Sequence, residues 1–418
     1  MEQFNLLDLA TAIDTVWVLL CAAMVFFMEG GFAFLEAGFI SAKNSINIVM
    51  KVFTDCTVGM LSYWAVGFAV MYGLDQAGLF GTTGFFIGGD LAHIKLRIPI
   101  YAYWLFQAAF AVAMASIVSG AVAERMKFGP YIIYTALAAG LIYPVAGHWV
   151  WGAGGWLAQM GMMDFAGSAV VHAVGGWSSL AAVLVLGARS SKYNDDGSIN
   201  FLPPHNLHLA FLGAFILWFG WNGFNAGSSL SGMDSNIARI ALNTNLAAAA
   251  GGMMATLYTM FRYGKADPSM VINGSLAGLA AITAGCAYVS PQFAVLIGSV
   301  AGVLVVLAVS FFDKLRMDDP VGAIAVHGVN GTWGVLAVGL FAEHGGLFLG
   351  GGFKLLIIQA LGVTMVSLWA FGATYLIFTL LKKTVGIRVS LEEEINGLDV
   401  VEHDISAYAS LDGVNAES

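Results

Sequence analysis

Long stretches of about 20 residues with few charged side chains constrain this chain most, because each can cross the hydrocarbon core of a bilayer as one helix. Of the 418 residues, 59% are hydrophobic and only 10% are charged, against about 25% charged in an average soluble domain. The sequence therefore predicts an all-α integral membrane protein, with no need for strands. The predicted spans are 15–40, 53–74, 100–122, 129–147, 165–187, 207–228, 238–261, 269–288, 292–312, 321–342 and 355–380.

The remaining composition fits a lipid environment. The 52 glycines suit helices that pack closely within a bilayer. The net charge of −9 gives no support for nucleic-acid binding.

Cys21, Cys56 and Cys286 each fall in an apolar run without metal-like spacing, so they are interpreted as small core residues. We expect neither a disulfide framework nor a cofactor. The acidic N-terminus lacks the basic start of a cleavable signal peptide, so the first span is expected to stay.

The distribution of lysine and arginine predicts the orientation. With the N-terminus outside, 13 of the 17 basic residues fall on the cytoplasmic side, which the positive-inside rule favours. Only Lys95, Arg97, Arg239 and Lys354 fall outside. We therefore predict an external N-terminus and a cytoplasmic C-terminus, as in a multi-pass protein of a cell membrane.

Two segments resemble each other at an offset of 155 residues. DFAGSAVVHAVGG (164–176) and DPVGAIAVHGVNG (319–331) share Asp, Gly, Val, His, Val and Gly at matching places. The predicted topology gives their two spans opposite directions, which indicates an inverted repeat of spans one to five against six to ten, with an eleventh helix added. The predicted division is a membrane domain at 1–382, with repeats at 12–188 and 207–342 and the added helix at 355–380. A tail at 383–418 follows.

Each repeat places one histidine inside a span. His172 and His327 lie eight residues past Asp164 and Asp319, about 12 Å along a helix, so we expect the two imidazoles to meet near the midplane. Neutral imidazole donates from one nitrogen and accepts at the other, so the pair can line a path and pass a proton. Repeat symmetry could also preserve a purely structural pair. No HExxH spacing accompanies either histidine, so no metal site is predicted.

Asp164 and Asp319 begin their helices, so capping of free backbone amides is the simplest interpretation of both. Asp164 also lies near the aromatic loop HWVWGAGGW (148–156) on the predicted outer side. A carboxylate there could favour the entry of a cation, and the sequence leaves both roles open.

Seven segments in order identify a resemblance that covers the chain almost end to end. The chain resembles the ammonium transporter family (Amt/Mep/Rh), closest to its bacterial and archaeal Amt branch. This resemblance implies a homotrimer with one pore per subunit, and transport of ammonium or ammonia, with methylammonium as an analogue, rather than enzymatic activity. The segments are FMEGGFAFLEAGFISAKN (27–44), FQAAFAVAMASIVSGAVAERMKF (106–128), YPVAGHWVW (143–151), DFAGSAVVH (164–172), WFGWNGFNAGS (218–228), DDPVGAIAVHGVNG (318–331) and GIRVSLEEEINGLDVVEHDISAY (386–408).

The resemblance assigns roles to the outer half of the pore. It implies that Trp151 and Ser228 recruit ammonium, the indole face attracting the cation and the hydroxyl accepting a hydrogen bond, with Phe110 at the same site. Desolvated cation–π attraction of about 2 kcal/mol would help to offset dehydration. Phe110 and Phe224 would form a stacked gate below. Nothing in local spacing selects these two among the 29 phenylalanines.

The resemblance also assigns roles around the histidines. His172 and His327 match the pore histidines, and Trp221 is expected to pack beside them. Ammonium would lose a proton with help from Asp164 or water, ammonia would cross the apolar pore, and the proton would cross over the histidine pair. Thr283 is similar to a hydroxyl near the lower pore, although a bond back to its own helix is an equally good interpretation.

Three alternatives stay open from the sequence. A neutral ammonia channel of the Rh branch would lack the recruiting tryptophan, a sensor of the same fold would be expected to append a signalling domain, and a membrane enzyme would need a nucleophile, metal or cofactor motif that is missing. In the tail, Gly386, Gly397 and Asp399 match the segment to which PII-type signal proteins dock in bacterial relatives. Alternatively, the tail packs on its own trimer.

Two positions depart from the family pattern. Glu29 stands where relatives more often have an amide. It is expected to be protonated, to bond to a neighbouring helix, or to face the outer vestibule. Ala169 stands where a hydroxyl residue is common, which leaves the packing around His172 less defined.

Overall fold

The computed structural model describes residues 5–408, and long helices make up most of them. Each long helix overlaps one predicted span. In chain order the helices are α1 (Leu6–Phe39), α2 (45–72), α3 (Ile100–Ala121), α4 (128–151), α5 (Ser168–Leu186), α6 (Leu207–Gly227), α7 (Ile237–Tyr263), α8 (Pro268–Ile282), α9 (Pro291–Lys314), α10 (Ile324–Phe341), α11 (Phe353–Thr384), α12 (Leu391–Asn396) and α13 (Leu398–His403). A short helix, Trp156–Met160, follows α4.

Within residues 5–408, eight helices are long and apolar enough to cross a membrane: α1, α3, α4, α5, α6, α9, α10 and α11. Helix α8 is apolar but shorter. Helix α2 contains two π-helical turns, Asp55–Gly59 and Tyr63–Gly67. The fold is thus all-helical across its apolar part, and the count of eleven crossings stays a prediction.

The expectation that strands are not needed is wrong at one place outside the helices. Strands β1 (Asp75–Gln76) and β2 (Phe80–Gly81) form a two-stranded antiparallel hairpin in the connection from α2 to α3. The Asp75 carboxylate accepts a hydrogen bond from the Gly78 amide (2.8 Å), and Gly78 has a φ of 78°, in the left-handed region that glycine adopts without strain. Strands of two residues show no alternation that a sequence could reveal.

Helix α1 begins earlier than predicted, at Leu6 instead of residue 15. The predicted span of 15–40 left Asp14 outside the helix, but this residue lies fully buried within it. Its carboxylate accepts a hydrogen bond from the Ser231 hydroxyl (2.8 Å) and pairs with Arg97. A buried carboxylate is tolerated here because both partners lie on neighbouring connections.

Helices α5 and α10 cross in close contact and run in opposite directions. A side chain on Gly176 would collide with the backbone of Gly328, and one on Gly331 would reach the Ser168 oxygen (2.5 Å) and the Ala173 nitrogen (2.9 Å). Gly328 of α10 thus contacts Gly176 of α5, whereas Gly331, further along α10, contacts residues that come earlier in α5. Glycine at the crossing lets the two backbones approach this closely.

The cysteine interpretation holds in part. All three cysteines are free; Cys21 and Cys286 are buried, whereas Cys56 is half-buried. Cys56 lies in the first π-helical turn of α2. The predicted core role therefore fits two of the three.

Candidate functional site

A cavity of about 340 Å³, the outer cavity in the predicted orientation, is lined by the three residues predicted to recruit substrate, Trp151, Ser228 and Phe110. Trp151 ends α4, and its indole nitrogen donates to the main-chain oxygen of Asp164 (2.7 Å), which fixes the ring. Ser228 follows α6 and donates its only hydroxyl proton to the Phe224 oxygen (2.8 Å). The Ser228 oxygen can therefore act only as an acceptor towards a ligand. An aromatic face beside an acceptor suits a small cation with N–H groups.

Three further polar side chains line the same cavity and were missed in the sequence: Tyr72, Tyr103 and Gln107. Their oxygens are additional acceptors for a cation that donates hydrogen bonds. Gln107 is the one amide in α3, and a polar group inside an apolar span is a signal that could have identified it.

A pair of stacked phenylalanines separates the outer cavity from the histidines. The ring centroids of Phe110 and Phe224 lie 4.0 Å apart at an interplanar angle of 28°. Both side chains are buried. Phe110 lines the cavity, whereas Phe224 lies 5.5 Å from the His172 ring. The stack therefore closes the direct line from the cavity to His172.

His172 and His327 meet as expected, with 3.2 Å between their Nδ1 atoms. Trp221 stacks on His172 at a centroid distance of 5.0 Å. Two Nδ1 atoms at this distance share one hydrogen bond only if one donates and the other accepts, so the two neutral rings must be in different tautomers. Moving a proton along the pair would exchange these tautomers.

Asp164 and Asp319 make equivalent bonds to the starts of α5 and α10. The Asp164 carboxylate accepts from the amides of Gly167, Ala169 and Val170 (3.1, 2.9 and 3.0 Å). The Asp319 carboxylate accepts from those of Gly322 and Ile324 (3.0 and 2.7 Å). These bonds support the capping interpretation for both residues. Asp164 is 4% exposed and is not among the residues that line the outer cavity.

Thr283 lies elsewhere than predicted. Its hydroxyl donates back to the Leu279 oxygen (2.7 Å) and accepts from the Trp221 indole (2.9 Å), so the alternative interpretation of a bond within its own helix holds. Its main-chain oxygen accepts from the Ala166 amide (3.1 Å), at the Asp164 end of α5. Thr283 therefore lies on the Asp164 side of His172, which in the predicted orientation is the outer side and not the lower pore.

Of the three roles considered for Glu29, the structure shows a hydrogen bond to a neighbouring helix. The Ser116 hydroxyl on α3 lies 2.6 Å from its carboxyl oxygen, and the side chain is buried. Glu29 does not line the outer cavity. Ala169 is fully buried at the start of α5.

Two more cavities lie beyond the histidines. A small one of about 20 Å³ is lined by His327, Glu36 and Asn273, among others. A larger one of about 750 Å³ is lined by Asn273, Asp319 and Arg189, among others. The order from Trp151 to Arg189 is thus an outer cavity, an aromatic stack, the histidine pair, a small cavity and a large inner cavity.

Comparison with known proteins identifies the family of this chain. The family model described as Ammonium Transporter Family matches residues 16–408. The chain is 48% identical to ammonium transporter Amt2 of Archaeoglobus fulgidus, over 95% of this chain and 88% of that protein. It is 43% identical to a putative ammonium transporter of Synechocystis, over 96% and 90% of the two chains.

Solved structures give the same result. A protein titled Sensor Amt Protein has a TM-score of 0.91 at 43% identity, covering 95% of this chain and 99% of that one. Mep2 of Candida albicans has a TM-score of 0.85 at 29% identity, covering 94% and 88%. The sequence relatives are named as transporters, not as enzymes. The chain therefore belongs to the Ammonium Transporter Family and is a multi-pass membrane protein.

Proposed function

We propose that this protein transports ammonium across a cell membrane by moving ammonia and a proton separately. The observation that carries the proposal is the cavity in which Trp151, Ser228 and Phe110 meet, since a fixed indole face beside an acceptor oxygen suits ammonium. The aromatic stack and the histidine pair follow directly behind it.

Removal of the charge explains this order of groups. Carrying a bare cation through an apolar pore is expensive, whereas neutral ammonia crosses apolar surroundings at much lower cost. Ammonium is held in the outer cavity, loses its water at Phe110 and Phe224, and releases a proton before the stack. Because the carboxylate of Asp164 is engaged by three backbone amides, we assign the proton to water in the outer cavity in preference to that carboxylate.

The proton follows a different path through the same pore. His172 receives it, and the Nδ1 contact to His327 passes it inwards while the two rings exchange tautomers. Each cycle moves one ammonia and one proton, and thus one positive charge. Potassium has no proton to release and is rejected.

The proposed architecture has eleven crossings, a 5+5 inverted repeat at 12–188 and 207–342, an eleventh helix, and a homotrimer with one pore per subunit. The equivalent bonds of Asp164 and Asp319 and the antiparallel crossing of α5 and α10 support the repeat. We propose an external N-terminus and a cytoplasmic C-terminus.

The tail from residue 383 is proposed as a regulatory segment that a PII-type signal protein can contact. Residues 409–418 of this tail lie outside the described part. The Asp399 carboxylate accepts from the amides of Ile46 and Asn47 (3.0 and 2.7 Å), so the tail also packs on its own subunit. Gly386 and Gly397 have φ values of 72° and 99°, in the left-handed region that glycine adopts without strain, after α11 and between α12 and α13 respectively.

Purified protein in liposomes on a solid-supported membrane tests the proposal. We expect a saturable current on ammonium jumps, no current on potassium jumps, and loss of the ammonium current in His172→Ala with His327→Ala. An ammonium current that persists in the double variant with unchanged selectivity would rule out the proton path. Internal alkalinisation without current would instead identify a neutral ammonia channel.

A second candidate function is ammonium sensing, which the likeness to the protein titled Sensor Amt Protein favours. A sensor would bind ammonium in the outer cavity but pass neither current nor ammonia. Saturable binding of ammonium to protein that is silent in both transport assays would select this function.

A further inference from the structure

The small cavity beneath the histidine pair contains the groups needed to return a proton to ammonia. His327, Glu36 and Asn273 all line it, and its volume is about 20 Å³. Because about 10–15 Å³ suffices for one water molecule, the cavity has room for a single molecule of the size of water or ammonia.

Hydrogen-bond accounting indicates that Glu36 is a neutral acid. The Ser119 hydroxyl lies 2.6 Å from the Glu36 carboxyl and 2.7 Å from the Ser116 main-chain oxygen. A hydroxyl has one proton to give, and a main-chain oxygen can only accept. Both short contacts are satisfied when Ser119 donates to Ser116 and a protonated Glu36 donates to Ser119. The 1% exposure of Glu36 favours the same state, since a charge there would be costly.

Asn273 provides an independent sign of a ligand in this cavity. Its side-chain nitrogen donates to the Val321 oxygen (3.1 Å). Its side-chain oxygen is buried and has no partner among residues 5–408. An unpaired buried acceptor is costly, and a ligand with N–H groups would satisfy it. Asn273 also lines the large inner cavity, so this one residue lies between the small cavity and the large one.

We propose that Glu36 is the inner proton donor of the transport path, acting on ammonia in the small cavity between His327 and Asn273. This inference rests on the proposed function, in which ammonia and the proton arrive separately. The ammonia lone pair takes the proton that the Glu36 carboxyl otherwise donates to Ser119, so that an N–H bond forms, an O–H bond breaks and the bond to Ser119 is given up. The products are ammonium, whose N–H groups donate to Asn273, and the Glu36 carboxylate.

The cycle closes through the histidines. The Glu36 carboxylate accepts the proton that His327 passes on, which is the proton that ammonium released in the outer cavity. Ammonium leaves past Asn273 into the large inner cavity. One ammonia and one proton have crossed, so the balance of the proposed transport is kept and no further reactant is needed.

The test compares Glu36→Gln with Glu29→Gln in liposomes, recording both the ammonium current and the internal alkalinisation by ammonia. Glutamine keeps a donor for Ser119 but has no proton to release. Glu29 is the matched control, because it lies seven residues away on α1, is buried beside Ser116, and does not line the described cavities.

We expect Glu36→Gln to reduce the current by a factor on the order of 100, the lower end of what acid–base groups contribute, while ammonia conduction and the melting temperature persist. Glu29→Gln should carry the wild-type current, and Glu36→Asp should restore part of it. If the Glu36→Gln current lies within about twofold of the wild-type current, where a loss of about 100-fold is expected, the inference is overturned.

Other outcomes separate the inference from the proposed function. A wild-type protein without current and without ammonia conduction would refute transport itself. Ammonia conduction without current in the wild type would overturn the proton path and Glu36 together. If Glu36→Gln does not fold, Asn273→Leu decides, since it fills the cavity and leaves the Glu36–Ser119 contact in place. A wild-type current in that variant would also overturn the inference.

Discussion

Trp151 is the residue whose replacement should change substrate affinity most directly. Removing its aromatic face in Trp151→Leu forfeits a cation–π attraction of about 0.5–2 kcal/mol, so we expect the half-saturating ammonium concentration to rise about 2- to 30-fold. Current titrations in liposomes measure this shift. Trp151→Phe keeps an aromatic ring but loses the hydrogen bond to the Asp164 oxygen. Its half-saturating ammonium concentration should therefore lie between those of the wild type and Trp151→Leu. Equal half-saturation in all three proteins would contradict the recruitment role.

Individual residues differed in how far the sequence could place them. The meeting of His172 and His327 followed from the internal repeat, because an inverted pair at equal depth must converge. Phe110 and Phe224 could be selected only by family resemblance, since a stacked contact between α3 and α6 leaves no local pattern. Thr283 lies at the Asp164 end of α5 and not at the depth expected from resemblance, because its position depends on where α8 ends.

At the scale of elements, the crossing of α5 and α10 depends on the absence of a side chain at Gly331. In Gly331→Ala the methyl carbon would lie 2.5 Å from the Ser168 oxygen, so the helices must separate. We expect a lower melting temperature and a weaker ammonium current. Gly372→Ala in α11 is the matched control: nothing lies within 4 Å of its new methyl group, and alanine should favour the helix by about 1 kcal/mol. Equal melting temperatures for the two variants would refute this account.

The connection from α5 to α6 is joined to the start of α10 by a buried ion pair. Arg189 bonds Asp318 (2.8 Å), and Arg125 donates to the Asp318 main-chain oxygen (2.7 Å). Burial alone would raise the pKa of the Asp318 carboxyl, but the charges of Arg125 and Arg189 and the bonds from Arg189 lower it below its ordinary value of 3.8. The pair therefore stabilises the fold above about pH 3.8, and this contribution is lost as the pH falls towards the lowered pKa.

We therefore expect Asp318→Asn to lower the melting temperature clearly at neutral pH, since breaking one side of a buried pair costs about 3–5 kcal/mol. Thermal unfolding in detergent at pH 7, 5 and 3 measures the difference from wild type. This difference should be similar at pH 7 and 5 and smaller at pH 3. A difference that stays constant down to pH 3 would show that the carboxylate charge is not responsible.

Helices could be predicted where the hydrophobicity of the segment alone determines them. Helix ends and strands that depend on contacts with other residues were harder to predict. Each predicted span overlaps a helix, because an apolar run in lipid must satisfy its backbone hydrogen bonds within itself. The start of α1 was misplaced because Asp14 is charged in sequence, and its burial is tolerable only through partners more than 80 residues away, namely Ser231, Met233 and Arg97. The β1–β2 hairpin is closed by short-range bonds, among them Gly78 to the Asp75 carboxylate and the Thr82 amide to the Leu74 oxygen, which no periodic pattern reveals.

At the scale of the whole molecule, one end of the helix bundle is held together by the tail. The Lys43 ammonium donates to the Glu394 oxygen (2.8 Å), and Arg388 pairs with the Glu394 carboxylate (2.7 Å). The Glu402 carboxylate accepts from the amide of Phe128 (3.0 Å), the first residue of α4. The tail thus contacts both the α1–α2 connection and the start of α4, so a partner that displaces it would alter both places together.

The same end contains the basic residues that predict the orientation. Lys43, Arg125, Arg189 and Arg388 all bond groups near the tail, and the positive-inside rule assigns such an end to the cytoplasm. A green fluorescent protein fused after Ser418 should therefore fluoresce, and alkaline phosphatase fused there should be inactive. Phosphatase fused after Gly346, in the connection before α11, should be active. The reverse pattern would invert the topology and would place the cavity of Trp151 and Ser228 on the cytoplasmic side, where it would serve export rather than uptake.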